Sequence, residues 1–494
     1  MLADTRIAGS LAAMFFALLL SACGTSDDSV VNIAVIGDKD EPFEKGVYLS
    51  PPAQLVRAAT AEGLVAFDDM GRVVPALADR WIVTDDGQSY IFRLRDGTWK
   101  DGTPLTAESA RAALRKSISA LKGTSLGLDV AGVDDIRVMA QRVIEIRLTN
   151  PRPNLLQLLA QPELGLQRNG RGAGPMKLER VEDTAVLVPL PPDELGLPAV
   201  EDWPDRVRTM RMSAADAKEA VDRFNRGDAD LLLGGRFENF PLASSVGLLR
   251  GTIKLDPVMG LFGLSVLNDK GFLETPGNRE ALAMAINREA LIQPLGLGGW
   301  KPTTRIVAPE VDDDLGTIGE RWEELNFEQR RALAASRVAT WLASQENAES
   351  VELRIAMPEG PGTDLVFARL AGDLQAIGIK ATRAGEKDKP DLELIDDIAR
   401  YPRTAWFLNR LNCKVRKSLC DKEADARAAE ALKAQDPAEQ AALLAEAEAE
   451  LTLANVFIPF GAPIRWSLVR GSASGFATNP WGWHPLMPMA LRPK

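Results

Sequence analysis

Residues 74–108 read VPALADRWIVTDDGQSYIFRLRDGTWKDGTPLTAE, and no other run of the 494-residue chain carries so much local instruction. Positions 88–95 (QSYIFRLR) alternate apolar and polar at period two, the pattern of a strand with one buried face. Two Asp-Gly pairs, Asp96-Gly97 and Asp101-Gly102, supply turns. At Thr106 the period changes: its hydroxyl suits a helix cap, and Ala110, Ala113, Leu114, Ile118 and Leu121 recur at helical spacing behind it. On either side the same alternation of element types continues. Residues 31–36 (VNIAVI) and 142–148 (RVIEIRL) read as strands, and 153–159 opens a helix. Residues 213–224 and 279–292 read as amphipathic helices, and 320–345 and 421–453 as longer ones rich in Ala, Glu and Leu. Gln435-Asp436-Pro437 divides the last of these, with Asp436 as a cap and Pro437 at the first helical position. The chain therefore reads as α/β, and its length exceeds what one core organises, so two or three domains are expected.

The N-terminus carries an address. Residues 7–20 are apolar apart from Ser10, a run too short for the ~30 Å of a bilayer's hydrocarbon core but suited to the middle of a signal peptide. It ends in Leu20-Ser21-Ala22-Cys23-Gly24, which resembles a bacterial lipobox, where the thiol of the cysteine receives the lipid. The expectation is a signal peptide over 1–22, a lipid on Cys23 and a polar tether over 23–30. An ordinary secretory signal ending near a cysteine is the alternative. Either way the body lies in the cell envelope, facing the periplasm or the exterior, and in the first case it is held to a membrane by its lipid.

Composition excludes more than it assigns. A net charge of −11 without any basic stripe argues against a nucleic-acid partner. His484 is the single histidine, which leaves a histidine-based triad or a multi-histidine metal centre without parts. Residues 471–475 (GSASG) miss the spacing of a nucleophile elbow, and Gly170, Gly172 and Gly174 are not followed by the Lys-Ser/Thr of a phosphate loop. Asp85-Asp86 and Asp312-Asp313-Asp314 read as solvated turns. No catalysis, cofactor or metal is expected. With Cys23 used for lipid, Cys413 and Cys420 remain, and in an oxidising compartment they read as a small local disulfide, two free buried thiols being the alternative.

The 74–108 block, taken with its glycine and proline turns, resembles the signature of the family 5 extracellular solute-binding proteins, which include the oligopeptide and dipeptide receptors of ABC importers. Further stretches are similar in order along the chain: Gly172-Ala173-Gly174-Pro175-Met176-Lys177-Leu178, Arg226-Gly227-Asp228-Ala229-Asp230, residues 268–292, residues 374–379 (LQAIGI) and residues 391–394. The resemblance implies a two-lobed periplasmic-binding-protein-like fold with an inserted extra domain. Domain I would comprise 30–63, 172–262 and 467–494, domain II 64–171, and domain III 263–466. It further implies a monomer that encloses a small-molecule ligand between domains I and III and passes it to the permease subunits of an ABC importer. The signature block itself serves the fold.

The ligand segment departs from the family pattern. Peptide-binding members carry G-W-x-x-D-Y-x-x-P followed by F-L-N, and the aspartate pairs with the peptide's α-amino group. Placing Tyr401 and Phe407-Leu408-Asn409 on that pattern puts Asp396 and Asp397 at the Gly and Trp positions and Arg400 at the aspartate. A guanidinium facing a buried ammonium costs roughly 3–5 kcal/mol, a factor of at least about a hundred, so an ordinary peptide is disfavoured. Arg400 offers instead a planar fork for a carboxylate, phosphate or sulfate. Two alternatives stay open: Arg400 pairs internally with Asp396 or Asp397, or the alignment shifts by three residues and Asp397 reads an amine. Tyr401 and Trp406, with Trp481 and Trp483, are candidates to line the cleft. The loop between Cys413 and Cys420, which resembles a bridged segment of dipeptide-type relatives, either rims the site or is a stapled surface loop. Two functions follow: a transport receptor for a small, non-peptide solute, with an anion as the candidate, or an envelope lipoprotein with a structural or signalling role and no transported ligand.

Overall fold

In a computed structural model, which describes residues 29–243, 252–346, 349–385 and 387–493, the strands gather into three main sheets. The expected signal peptide, Cys23 and nearly all of the tether lie outside the described residues. The first sheet has seven strands, centred on Val30–Ile36, which runs parallel to Thr209–Ala215 on one side and to Leu231–Arg236 on the other. The second has five strands, centred on Leu392–Ile398, with Gly260–Val266 antiparallel beside it and Val351–Ala356 parallel on the other flank. The third is a four-stranded antiparallel sheet of Ala78–Val83, Ser89–Leu94, Val143–Leu148 and Val133–Ala140.

The 74–108 block builds that third sheet for the reasons its pattern predicts. Tyr90, Phe92 and Leu94 are buried while Arg93 between them is exposed, and Phe92 packs with Ile144, Ile146 and Leu114. Thr106 caps helix Ala107–Ala120 and shares a reciprocal capping box with Ser109, whose hydroxyl also accepts from the buried Trp99 indole at 3.0 Å. Asp101 holds Thr103 in the turn. These residues stabilise a fold, and none of them lines the cleft between the two larger sheets.

The four-stranded sheet is inserted into the first unit. The chain leaves after helix Pro51–Thr60 and returns at Gly172, where the Gly174 N–H donates to the Thr60 carbonyl at 3.0 Å. Contact is so close there that a Cβ on Gly172 would sit 2.2 Å from that of Ala61, and one on Gly174 would sit 2.4 Å from the Thr60 carbonyl carbon. The glycines of the Gly172-Ala173-Gly174 stretch thus let the exit strand lie on the entry helix. The first and second sheets are joined by two short crossings. One leads from Ile253–Leu255 into Gly260–Val266, the other from Phe457–Gly461 into Arg465–Val469. Each of these strands belongs wholly to one sheet, so the passage between sheets falls at 256–259 and 462–464, a few residues before the expected 263 and 467.

Several helices start elsewhere than expected. Residues 213–215 finish a strand, and the helix is Ala217–Arg226 with Asp216 as its cap. The 279–292 segment is two helices, Pro276–Ala285 and Arg288–Leu291, because Asn287 caps the second. The long C-terminal pair is Lys422–Ala431 and Pro437–Ala454, with Asp436 capping the latter.

Candidate functional site

The C-terminal end of Leu392–Ile398 meets the first sheet across a narrow cleft, and charged side chains converge there. Asp396 is the pivot. Its buried carboxylate accepts from Arg465 Nη1 at 2.8 and 2.9 Å and from Arg236 Nε at 3.2 Å, while its backbone carbonyl accepts from Arg236 Nη2 at 2.6 Å and Arg465 Nη2 at 3.0 Å. Both arginines stand on strands of the first sheet, so two guanidiniums of one lobe grip one residue of the other. Burial pulls the Arg236 guanidinium down, but Asp396 and Glu238 more than restore it; at Arg465 burial prevails and its pKa falls. Burial pushes Glu238, at 3.5 Å from Arg236, above the usual carboxylate range.

Asp397 faces the same cleft but pairs elsewhere, with Arg416 at 3.3 Å. Arg416 lies inside the loop closed by the Cys413–Cys420 disulfide, and its Nε donates to the Arg410 carbonyl, which ties the loop to helix Thr404–Leu411. Burial raises the Asp397 carboxyl, yet Arg410, Arg416, Arg236 and Arg465 together hold it below its ordinary range. The stapled loop thus rims the cleft through one side chain.

Arg400 is engaged, though with neither aspartate. Its Nη1 donates to Glu163 Oε2 at 2.8 Å and to Gln161 Oε1 at 3.0 Å, both on the inserted segment. Burial lowers the guanidinium and the Glu163 carboxylate lifts it back above its ordinary value. Proximity in sequence made Asp396 and Asp397 the expected partners, but Asp396 is held by the first sheet, Asp397 by the disulfide loop and Arg400 by the insertion.

Tyr401 and Trp406 are core residues and line neither the cleft cavity nor the larger one beside it, against the expectation for both. The Tyr401 hydroxyl donates to Asp129 Oδ1 at 2.7 Å, and Asn409 Nδ2 donates to the same oxygen at 2.7 Å. Trp406 is 1% exposed and packs edge-on against Phe407. Both follow Arg400 on a turn that carries the chain away from the cleft and into the interface with the insertion. The aromatic wall comes instead from Trp481 and Trp483, with Phe67 beside Trp481.

Together these groups enclose a cavity of about 220 Å³, charged on the side of Asp396, Arg400 and Arg410 and aromatic on the other. A larger cavity of about 690 Å³ lies beside the two crossings, lined by Phe262, Trp300, Lys301 and Glu310 among others, and shares Arg465. The smaller one is the candidate site because charged groups from both lobes converge on it. Arg236, Arg465 and Glu163 were not foreseen. Each is a charged residue within an apolar run (LLLGGR, PIRW, QPELGL), and that is the sequence signal of a buried charge with a distant partner.

Comparison with known proteins decides the family. The model of the bacterial extracellular solute-binding proteins, family 5 (middle), matches residues 72–401. The chain belongs to this family. Among curated relatives, the probable deoxycholate-binding periplasmic protein YgiS of Escherichia coli K12 is 38% identical over 121 residues, 21% of this chain and 23% of the relative. The glutathione-binding protein GsiB of the same organism is 25% identical over 318 residues, 60% of this chain and 59% of the relative, so the match spans less than two thirds of either. Among solved structures, Haemophilus influenzae OppA in complex with RPPGFSPFR superposes with a TM-score of 0.78 at 19% identity, covering 94% of this chain and 99% of that one. AgaA in complex with agropinic acid, from A. tumefaciens R10, gives 0.69 at 17% identity, covering 94% and 99%. These likenesses establish the two-lobed fold of family 5 solute-binding proteins.

Proposed function

We propose that this protein is the receptor of an ABC importer, held to a bacterial membrane by lipid on Cys23, which captures a small solute between its lobes and passes it to the permease subunits. The three-domain division expected from the sequence is part of this reading, with the 256–259 and 462–464 crossings as the hinge. One observation carries it: groups from both lobes and from the insertion converge on one cleft, so a ligand there contacts all of them only when the lobes are together. A ligand shifts such an equilibrium by its extra contacts in the closed state. Family membership supports the same reading, since the relatives' names and titles pair this frame with ligands as unlike as glutathione, deoxycholate and agropinic acid.

An ordinary peptide is the disfavoured cargo. Its ammonium would enter a cleft where Asp396 is held by two arginines, Asp397 is surrounded by four, and Arg400 stands in place of the expected aspartate. The alternative, an envelope lipoprotein without a transported ligand, is favoured by one feature: the clamp on Asp396 satisfies much of the cleft's charge from within. Thermal-shift screening of the chain without residues 1–22 against a broad solute pool separates the two. A ligand at a hundred times its Kd adds about 2.7 kcal/mol of stability. Failure of peptides, amines and anions alike to raise the melting temperature would leave the structural reading standing.

A further inference from the structure

We propose that the cleft reads a single carboxylate through Arg410, carried on a flat apolar body that lies against Trp481, Trp483 and Phe67. The proposal rests on the receptor reading and names its ligand class.

The argument is one of pairing. Five guanidiniums gather at the cleft: Arg236, Arg400, Arg410, Arg416 and Arg465. Four of them have a carboxylate in direct contact, since Arg236 and Arg465 hold Asp396, Arg416 holds Asp397 and Arg400 holds Glu163. Arg410 is the exception among the described residues. Its guanidinium makes no hydrogen bond or ion pair, and its Nε is buried without a partner. A buried donor left unmade costs about 1–3 kcal/mol, more when it is charged. Its guanidinium carbon lies 5.2 Å from the centroid of the Trp406 ring, and Arg410 lines the cavity. Asp397 and Asp129 act on Arg410 through space without a direct bond, so Arg410 is the cavity-lining guanidinium left without a carboxylate in contact, and a ligand's carboxylate belongs beside it.

The remaining walls limit what bears that charge. Besides the arginines the cavity is lined by the two indoles, Phe67, Val35 and Leu55, which suit an apolar, flat group. The cavity of about 220 Å³ is smaller than the ~300–1,000 Å³ typical of pockets for drug-sized ligands, so the body is small. Anion binding thus moves from Arg400, where the sequence placed it, to a residue ten positions on.

The experiment uses acid and amide pairs of one shape: benzoate with benzamide, and indole-3-acetate with indole-3-acetamide. Each is titrated by calorimetry and tryptophan fluorescence into the wild-type chain and into Arg410→Met, which keeps the apolar stem on Trp406. At least one acid is expected to bind, its amide about a hundredfold more weakly, and the preference is expected to vanish in Arg410→Met at a melting temperature that stays level or rises, since the variant removes an unmatched buried donor. A purely structural role for Arg410 would lower the melting temperature and leave the acid-to-amide ratio intact, which overturns the proposal. So does equal binding of acid and amide by the wild type. If none of these probes binds, the hits of the solute screen decide: uncharged or cationic hits overturn Arg410 and spare the receptor reading, and a screen without hits overturns both.

Discussion

Glu163 and Arg400 show how much a buried charge depends on its partner. The carboxylate is 5% exposed and the guanidinium 21%, so the carboxylate in particular has little water to fall back on. Glu163→Gln leaves the arginine unmatched and is expected to cost about 3 kcal/mol, measured by urea unfolding, whereas Glu163→Gln with Arg400→Leu recovers much of that loss. Asp397 gives the pH dependence. Its folded pKa lies below the ordinary 3.8, so its stabilising contribution is complete above about pH 4 and fades as the pH falls through that value toward the depressed one. In Asp397→Asn the acid limb of the stability curve is expected to flatten, with wild type and variant converging below pH 4. The sequence announced that something charged happens at 396–400 because Arg400 broke a pattern. It did not announce which charges meet. Asp396 and Arg465 lie 69 positions apart and Arg400 and Glu163 lie 237 apart, and only the crossing and insertion geometry brings them together. Tyr401 and Trp406 misled for a related reason: an aromatic beside a cleft residue turns either way, and here the turn after Arg400 buries both.

Local elements were more legible, wherever the signal was local. The Thr106 and Asp436 caps and the period-two run at 89–94 stand where the pattern puts them, since each depends on residues within one turn. Boundaries failed where a strand ran directly into a helix, as at Ala215 and Ala217, because residues 213–215 finish the strand and the cap is Asp216. Two elements bear directly on the cleft. Strand Leu231–Arg236 slips register against its neighbour between Leu232 and Gly235, and Gly234 adopts φ +85° there, which turns Arg236 toward Asp396. Gly234→Val forces a β-branched residue into that left-handed geometry and is expected to cost at least about 1–2 kcal/mol in chemical denaturation and to weaken any cleft ligand. The disulfide loop is the second. Closing a loop of this size stabilises by about 2.5 kcal/mol on the chain-entropy account, so Cys413→Ser with Cys420→Ser is expected to lower the midpoint of thermal unfolding measured without reductant. It also releases Arg416, and Asp397 with it.

For the molecule as a whole, the clamp on Asp396 sets the resting relation of the two sheets. Asp396→Asn removes the charge that both Arg236 and Arg465 grip, and the lobes are expected to separate more often about the 256–259 and 462–464 crossings. Small-angle scattering of the variant should report a larger radius of gyration than the wild type, and an unchanged radius would show that the clamp does not govern closure. The insertion adds a constraint of another kind. It is spliced into the first lobe at Thr60 and Gly174, yet its side chains are fastened to the second: Asp129 to Tyr401 and Asn409, Glu163 to Arg400, and the Asn150 amide to the Ala434 carbonyl. In mechanical terms it is a strut bolted to one jaw and glued to the other, in parallel with the hinge. Pulling the jaws apart therefore loads a row of buried bonds in shear along with the two flexible crossings. On the receptor reading proposed above, the insertion, which also lines the cavity with Phe67, Gln161 and Pro162, adds to the stiffness of the closure and to the time a solute is kept.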